Sequence, residues 1–283
     1  MKHDTLEQAG LSYAPCTYGM SRNSFRGPRR PLDRPYIAVI GGTNTYGKYI
    51  ERPYPSLLEK AMGKPCVNFG LVNASVDAFA HDPTIVAAAH DADLTVVQLM
   101  GAQNLSNRFY KVHPRRNDRF LSASTVLRAI YDDVDFADFN FTRHMLGALY
   151  KRCPNRFEIV REELQAAWIA RMSMVLQQIG PKVVLMWLSD APLTDDHWAD
   201  RPQPLRADPM FVTRSMVDQL RHRVLDLIEV EPTAAARVQG TKGMIYPLLH
   251  ADAAAEVLSV ATHYEAADQL VPVLRRALAA TRD

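Results

Sequence analysis

The stretch "VIGGTNTYGKYI", residues 39–50, joins an apolar run to a loop that contains three glycines, two threonines and a lysine. Its apolar start completes the run Tyr36–Ile40, whose β-branched residues are typical of a strand covered by helices on both faces. The pair Gly41 and Gly42 ends this strand. The loop that follows therefore either wraps a phosphate or presents a hydroxyl, and the rest of the sequence has to distinguish the two.

Four more apolar runs predict strands at residues 66–69, 94–100, 182–188 and 227–230. Helical spacing of apolar residues lies between them, most clearly in "EIVREELQAAWIARMSMVLQQIG", and also in "VTRSMVDQLRHRVLDLIEV". Strands that alternate with helices indicate parallel pairing through helical crossovers. We therefore predict an α/β fold, a three-layer α/β/α sandwich with a mainly parallel sheet of about five strands.

The chain divides into three parts by pattern. Residues 1–34 carry Arg, Pro and Gly without periodicity and predict an N-terminal surface arm without a catalytic role. Residues 35–283 form the single α/β domain. Within it, residues 105–157 are irregular and rich in Arg, Asp, Asn and Phe, which predicts an elaborated insertion.

Composition excludes several classes of function. The 33 basic and 31 acidic side chains give a net charge of +2, too small for a protein that tracks nucleic acid. Three widely spaced cysteines favour reduced thiols, and no apolar segment is long enough to enter or cross a membrane. We expect a cytoplasmic protein with no cofactor and no metal, since no His, Cys and Asp cluster has ligand spacing. The number of subunits stays open.

The loop comes close to a phosphate-binding pattern. Gly42, Gly47 and Lys48 stand where a backbone cradle and its lysine would be. Tyr49, however, replaces the Ser or Thr that would hold magnesium, and two prolines follow where a helix should direct its amides at the phosphates. A nucleotide-dependent transferase is therefore the third hypothesis for function.

The same loop resembles the first sequence block of the SGNH (GDSL) hydrolases, in which a strand leads into Gly-Asp-Ser. Here Gly41 matches the glycine, Gly42 replaces the aspartate and Thr43 takes the place of the nucleophilic serine. Three later blocks are similar in order and in their placement after strands: "VNFGLVNAS", "VVQLMGAQN" and "ATHYEAADQL". The resemblance covers most of the chain from Tyr36 onward and implies a bacterial branch of that superfamily, with a flavodoxin-like strand order.

This resemblance also implies a site. Thr43 would be the nucleophile and His263 the base, while the oxyanion would be bound by residues of the second and third blocks. These candidates for oxyanion and substrate binding are Gly42, Asn73, Gly101, Gln103 and Asn104.

The departures from the family pattern make efficient catalysis by Thr43 and His263 harder to achieve. The β-methyl of Thr43 crowds attack, and Val260 stands where an aspartate would orient the histidine. The orienting group would then be Glu256, Glu265, Asp252 or a backbone carbonyl. Each key residue also has a structural alternative: Thr43 as a turn hydroxyl and His263 as a capping or packed histidine.

Basic residues follow the third block in "NLSNRFYKVHPRRNDRF". Guanidinium groups such as those of Arg108 and Arg115 suit carboxylate, sulfate or phosphate, which predicts an anionic substrate. A solvated loop, or ion pairs with nearby aspartates, is the alternative.

Our leading hypothesis is an SGNH-like esterase or acyl transferase that acts on an ester or acyl group of a polar, anionic metabolite or glycan. The rival is a binding protein that has kept the cleft of this fold and lost catalysis, which the missing Ser and Asp favour. Whether the protein is an enzyme is left open by the sequence.

Overall fold

The computed structural model describes residues 10–196, 199, 205 and 208–280. In this part of the chain the strands are β1 Ile37–Gly41, β2 Cys66–Gly70, β3 Leu94–Gln98, β4 Tyr110–His113, β5 Arg116–Ala123, β6 Val183–Leu188 and β7 Asp226–Val230. The helices are α1 Thr43–Tyr46, α2 Tyr54–Met62, α3 Asp77–Ala80, α4 Pro83–Asp91, α5 Thr125–Ile130, α6 Thr142–Arg152, α7 Pro154–Ile179, α8 Arg214–Asp218, α9 Ala234–Val238, α10 Ala251–Ala255 and α11 Val260–Ala280.

Five strands form one parallel sheet in the order β2-β1-β3-β6-β7. This is the flavodoxin-like order, and it confirms the predicted α/β fold. In register, Ile37 of β1 lies between Cys66 of β2 and Leu94 of β3. All parallel strands point the same way, so the loops after β1, β2 and β3 meet at one edge of the sheet.

Alternate side chains of each strand point to opposite faces of the sheet. Ala38 and Ile40 belong to the core that includes α4 and α7, whereas Ile37 and Val39 belong to the core that includes α2 and α11. Both faces are thus covered by helices. This explains why the strands are continuous apolar runs in the sequence.

Two predicted elements differ from the structure. The third strand ends at Gln98 and not at residue 100, although the Leu99 N–H still donates to Met186 O of β6 at 2.8 Å. The helix predicted ahead of the fifth strand is shorter than expected, because α8 has only five residues, while the strand predicted at 227–230 is confirmed as β7, which begins at Asp226. Apolar residues in "RVLDLIEV" fit helix and strand spacing equally, and pairing with β6 decides for the strand.

The segment between β3 and α7 contains the antiparallel hairpin β4–β5 and the helices α5 and α6. It packs onto the sheet through buried side chains such as Tyr110, Phe136 and Leu146. The N-terminal segment is also packed: Tyr18 and Phe25 are buried against Phe69 of β2. Both parts therefore lie close to the loops at the carboxyl edge of the sheet.

Candidate functional site

A cavity of about 680 Å³ opens at the carboxyl edge of the parallel sheet. Its wall combines the loops after β1, β2 and β3 with the β4–β5 hairpin, α6 and the turn after α10. The lining residues are Gly42, Thr43, Asn44, Lys48, Asn73, Ala74, Gln98, Met100, Gln103, Asn104, Asp118, Phe141, Thr142, Arg143, His144, Asp208, Ala253, Glu256 and Val257. Ligands of open parallel sheets bind at this edge, and the volume suits a metabolite.

Thr43 and Asn73 contact each other directly in this wall. The Asn73 backbone N–H donates to Thr43 Oγ1 at 2.9 Å, and the Thr43 hydroxyl donates to Asn73 Oδ1 at 3.3 Å. Asn73 has a left-handed backbone with φ of +56°, a conformation that asparagine tolerates better than most residues. The first and second sequence blocks therefore meet in the wall of the cavity.

Asn104 joins the same wall from the loop after β3. Its Nδ2 donates to Asn73 O at 3.2 Å, and its Oδ1 accepts from the Thr142 hydroxyl at 2.5 Å. Asp118 completes the network, because its Oδ2 accepts from Asn73 Nδ2 at 3.0 Å. Contacts with Thr43, Asp118 and Thr142 thus fix the position of two amide side chains beside the Thr43 hydroxyl.

Gln98, the polar end of β3, determines the shape of the loop after β1. Its Oε1 accepts from the backbone N–H groups of Gly42 and Thr45, at 3.3 and 3.2 Å, and from Thr45 Oγ1 at 2.5 Å. These amides are the ones that a phosphate cradle would need. These bonds weigh against the phosphate-loop alternative, and Lys48 Nζ lies 4.9 Å from the centre of the Tyr49 ring.

The two other candidates of the third block differ in position. Gln103 lines the cavity, and its Oε1 is buried without a hydrogen-bond partner in the described part of the chain. Gly101 does not line it. A Cβ at Gly101 would lie 2.1 Å from Gln103 Oε1 and 2.7 Å from the Met210 nitrogen, so this glycine makes room for its neighbours.

The predicted pair of Thr43 and His263 is not formed. His263 is 1% exposed, lies in the first turn of α11 and does not line the cavity. Its Nδ1 accepts a hydrogen bond from the Tyr54 backbone N–H at 3.2 Å, and its ring stacks on that of Tyr54. Burial, and to a smaller extent the positive charge of Arg26, lowers the pKa of His263 to about 3. His263 is thus a neutral packed histidine.

None of the proposed orienting carboxylates bonds to His263. Glu265 accepts from the Thr233 hydroxyl and backbone N–H, at 2.6 and 3.0 Å. Glu256 lines the cavity, where it lies 3.9 Å from Arg143, and Asp252 is exposed. The first turn of α11 directs His263 to the start of α2, away from these groups.

The predicted anion-binding arginines lie outside the cavity. Arg108 forms an ion pair with Glu163 of α7 at 2.7 Å, and Arg115 donates to the Arg22 carbonyl at 3.4 Å. Sequence spacing could not reveal a partner 55 residues away. The cavity obtains its positive charge from Lys48 and Arg143 instead.

Several lining residues were not predicted. Gln98 had a visible signal, since it is a polar residue in an otherwise apolar strand. Asp118, Thr142, Arg143 and His144 come from the insertion, where no pattern distinguishes a cavity residue from a surface residue. His144 is exposed to the cavity and contacts the edge of Phe139, with ring centroids 5.0 Å apart.

Within the described ranges, no group of three or more His, Cys, Asp or Glu side chains is arranged to hold a metal ion. The helices of the same ranges include none with the length and apolar character needed to cross a membrane.

Solved structures with a similar overall arrangement include esterases and a lipase/acylhydrolase. A carbohydrate esterase family 2 enzyme with a carbohydrate-binding domain from Myceliophthora fergusii has a TM-score of 0.43 and 12% identity, with 89% of this chain and 69% of that chain covered. A lipase/acylhydrolase from Enterococcus faecalis has a TM-score of 0.37 and 16% identity, over 86% and 96%. An acetyl-xylooligosaccharide esterase variant from Geobacillus has a TM-score of 0.40 and 13% identity, over 86% and 94%.

No curated protein is similar enough in sequence to count as a match. One family model, described as a domain of unknown function (DUF6473), matches residues 1–278. That match spans nearly the whole chain, and the protein therefore belongs to the DUF6473 family.

Proposed function

We propose that this protein is an SGNH-like hydrolase or acyl transferase that acts on an ester of a polar metabolite or glycan in the cavity beside Thr43. One observation carries the proposal: Thr43, Asn73 and Asn104, from the loops after β1, β2 and β3, are hydrogen-bonded together in the wall of one cavity. A hydroxyl flanked by amide donors is the arrangement that acyl transfer requires.

In this mechanism Thr43 Oγ1 attacks the acyl carbon and its proton passes to a base. The carbonyl oxygen becomes an oxyanion, which the Asn73 N–H and the Asn104 amide stabilise. In the structure, the Asn73 N–H donates to Thr43 Oγ1 and the Asn104 amide donates to Asn73 O. In the proposed mechanism both donors turn to the oxyanion of the substrate. The alcohol leaves with a proton, and water or an acceptor hydroxyl then releases the acyl group from Thr43.

The base in this proposal comes from the cavity wall and not from His263. His144 is the one histidine among the lining residues, and imidazole is the side chain most often used for proton transfer near neutral pH. The lining also supports a polar substrate, because amide, hydroxyl and charged side chains outnumber the apolar ones. An anionic group of the substrate would be held by Lys48 and Arg143, which lie in the wall beside the carboxylates of Asp118, Asp208 and Glu256.

The test combines turnover with covalent labelling. Short p-nitrophenyl esters and a fluorophosphonate reagent are applied to the wild type, Thr43→Ser, Thr43→Ala, His144→Ala and His263→Asn. We expect label on the peptide that contains residue 43 in the wild type and in Thr43→Ser, and none in Thr43→Ala. His144→Ala should lose most activity, and His263→Asn should retain it. Hydrolysis that survives in Thr43→Ala would refute the proposed nucleophile.

Binding without catalysis is the second candidate, and a specific contact favours it. The Thr43 hydroxyl donates to an amide oxygen of Asn73, which cannot accept its proton as a base does. In that case the wild type shows neither labelling nor hydrolysis, while sugars or carboxylated metabolites still raise its Tm.

A further inference from the structure

The loop that presents Thr43, residues 43–51, is held from outside by the N-terminal segment. The Arg26 side chain is buried beneath it. Its Nη1 donates to Gly47 O at 2.5 Å and to Tyr46 O at 3.3 Å, and its Nη2 donates to Glu51 O at 2.8 Å. One guanidinium therefore binds three carbonyls of this loop.

A second contact comes from Tyr13 of the same segment. Its hydroxyl accepts from the Tyr49 backbone N–H at 2.9 Å, and its ring lies 5.3 Å from the Arg26 guanidinium. Tyr49 has φ of +67° and Gly47 has φ of +73°. A tyrosine adopts this left-handed backbone only where the surroundings hold it. The N-terminal segment thus holds the part of the loop around residues 46–51, beside the bonds of Gln98 to its start and of the Ile245 N–H to Tyr49 O at 2.9 Å.

The choice of arginine is itself informative. Arg26 is 7% exposed, and within the described residues it forms no ion pair with a carboxylate. Burying a charge in this way is costly unless its hydrogen bonds matter, and an apolar side chain would anchor the segment at lower cost. Arg30 in the same segment differs, since it forms a two-bond ion pair with Glu59 of α2 and so fastens the segment to a helix.

We propose that Arg26 is a positioning residue, which holds residues 43–51 in the one shape that turns Thr43, Asn44 and Lys48 into the cavity. The N-terminal segment is then a part of the site and not only a surface arm. The predicted effect of Arg26 on the order of this loop does not depend on the reaction. Its predicted effect on turnover rests on the proposed function.

The experiment compares Arg26→Met and Arg26→Lys with the control Arg30→Met, which weakens attachment of the same segment to α2. Amide hydrogen exchange of residues 42–52 is measured in the full chain, together with Tm and the rate of fluorophosphonate labelling. For Arg26→Met we expect exchange of this loop to rise at least tenfold and labelling to slow at least tenfold. Arg26→Lys, which reaches fewer carbonyls, should fall between Arg26→Met and the wild type.

Arg30→Met should lower Tm and leave the exchange of residues 42–52 unchanged. Guanidinium ion at millimolar concentration should restore part of the protection in Arg26→Met. If Arg26→Met does not fold, Arg26→Lys decides alone, and wild-type exchange of the loop in that variant overturns the proposal. Equal loss of loop protection in Arg30→Met overturns it as well. If the wild type itself is not labelled, the exchange data still decide the role of Arg26 while the proposed reaction fails.

Discussion

The backbone N–H of Tyr54 donates a 3.2 Å hydrogen bond to Nδ1 of His263, although 209 positions separate the two residues. The two rings lie 6.1 Å apart with an angle of 20° between their planes. The bond requires an unprotonated Nδ1, and burial keeps the imidazole neutral. His263 therefore joins α11 to the start of α2 and contributes to stability.

We predict that His263 makes the protein less stable in acid. Its pKa is about 3 in the folded chain and 6.5 in the unfolded chain, so between these values the unfolded chain binds a proton that the folded chain excludes. The contribution is complete above pH 6.5 and is lost as the pH falls. Urea unfolding at pH 7, 6 and 5 should show the free energy of unfolding falling by up to about 1.4 kcal/mol per pH unit from this group.

The control for this prediction is His263→Asn, whose side-chain oxygen can accept from Tyr54 but does not titrate. Its free energy of unfolding should fall less steeply with pH than that of the wild type. Parallel pH profiles for the two proteins would show that His263 has an ordinary pKa.

Replacing Gln98 by leucine should destabilise the protein. The change leaves Gly42 N, Thr45 N and the Thr45 hydroxyl without the amide oxygen that accepts from all three. Each buried donor left unsatisfied costs about 1–3 kcal/mol, and the Thr45 hydroxyl keeps Tyr54 as a partner, so we expect a total loss of about 2–5 kcal/mol in denaturant unfolding. Gln98→Glu keeps an acceptor oxygen. At low pH, where its carboxyl group is protonated, it should lose less free energy of unfolding than the leucine variant. Equal losses in both variants would contradict this account.

Gly70 should tolerate no side chain. A Cβ there would lie 2.2 Å from the Tyr46 nitrogen and 2.6 Å from the Thr45 carbonyl carbon, which are backbone atoms of α1. We expect Gly70→Ala to cost about 3 kcal/mol or more and to displace α1 from the cavity. Gly63→Ala is the matched control, since φ is +61° but the space is open, and it should cost about 1 kcal/mol. A Tm of Gly70→Ala equal to that of Gly63→Ala would mean that α1 moves freely.

Arg143, and not Arg108, should determine affinity for an anionic substrate. Arg143 lines the cavity, whereas Arg108 pairs with Glu163 on the surface. For a carboxylated p-nitrophenyl ester, Arg143→Ala should raise KM about tenfold, the equivalent of one charge-assisted hydrogen bond. Arg108→Ala and Arg115→Ala should leave kcat/KM within about twofold, as is usual for exposed charges. A larger effect of Arg108→Ala would place the anion site on the hairpin side.

The five strands of the sheet could be predicted because helices cover both of its faces. Burial on both sides makes each strand a continuous apolar run, which is visible without knowledge of its neighbours. The boundary between the short helix α8 and β7 is harder to predict, because the apolar spacing there fits both periods and pairing with β6 decides it. The shared edge of the loops then follows from parallel connections, whereas the strand order is implied by the resemblance to the SGNH hydrolases.

The sequence by itself determined the parallel sheet and the placement of Thr43, Asn73 and Asn104 at its carboxyl edge, since each of these residues closely follows a predicted strand. Only the tertiary structure decided which way His263 turns, what Arg108 pairs with, and which side chains of residues 105–157 reach the cavity. The physical reason is that a strand pattern records burial along the chain. The face of a helix and the partner of a charge depend on contacts between residues far apart in the chain, and no local pattern records them.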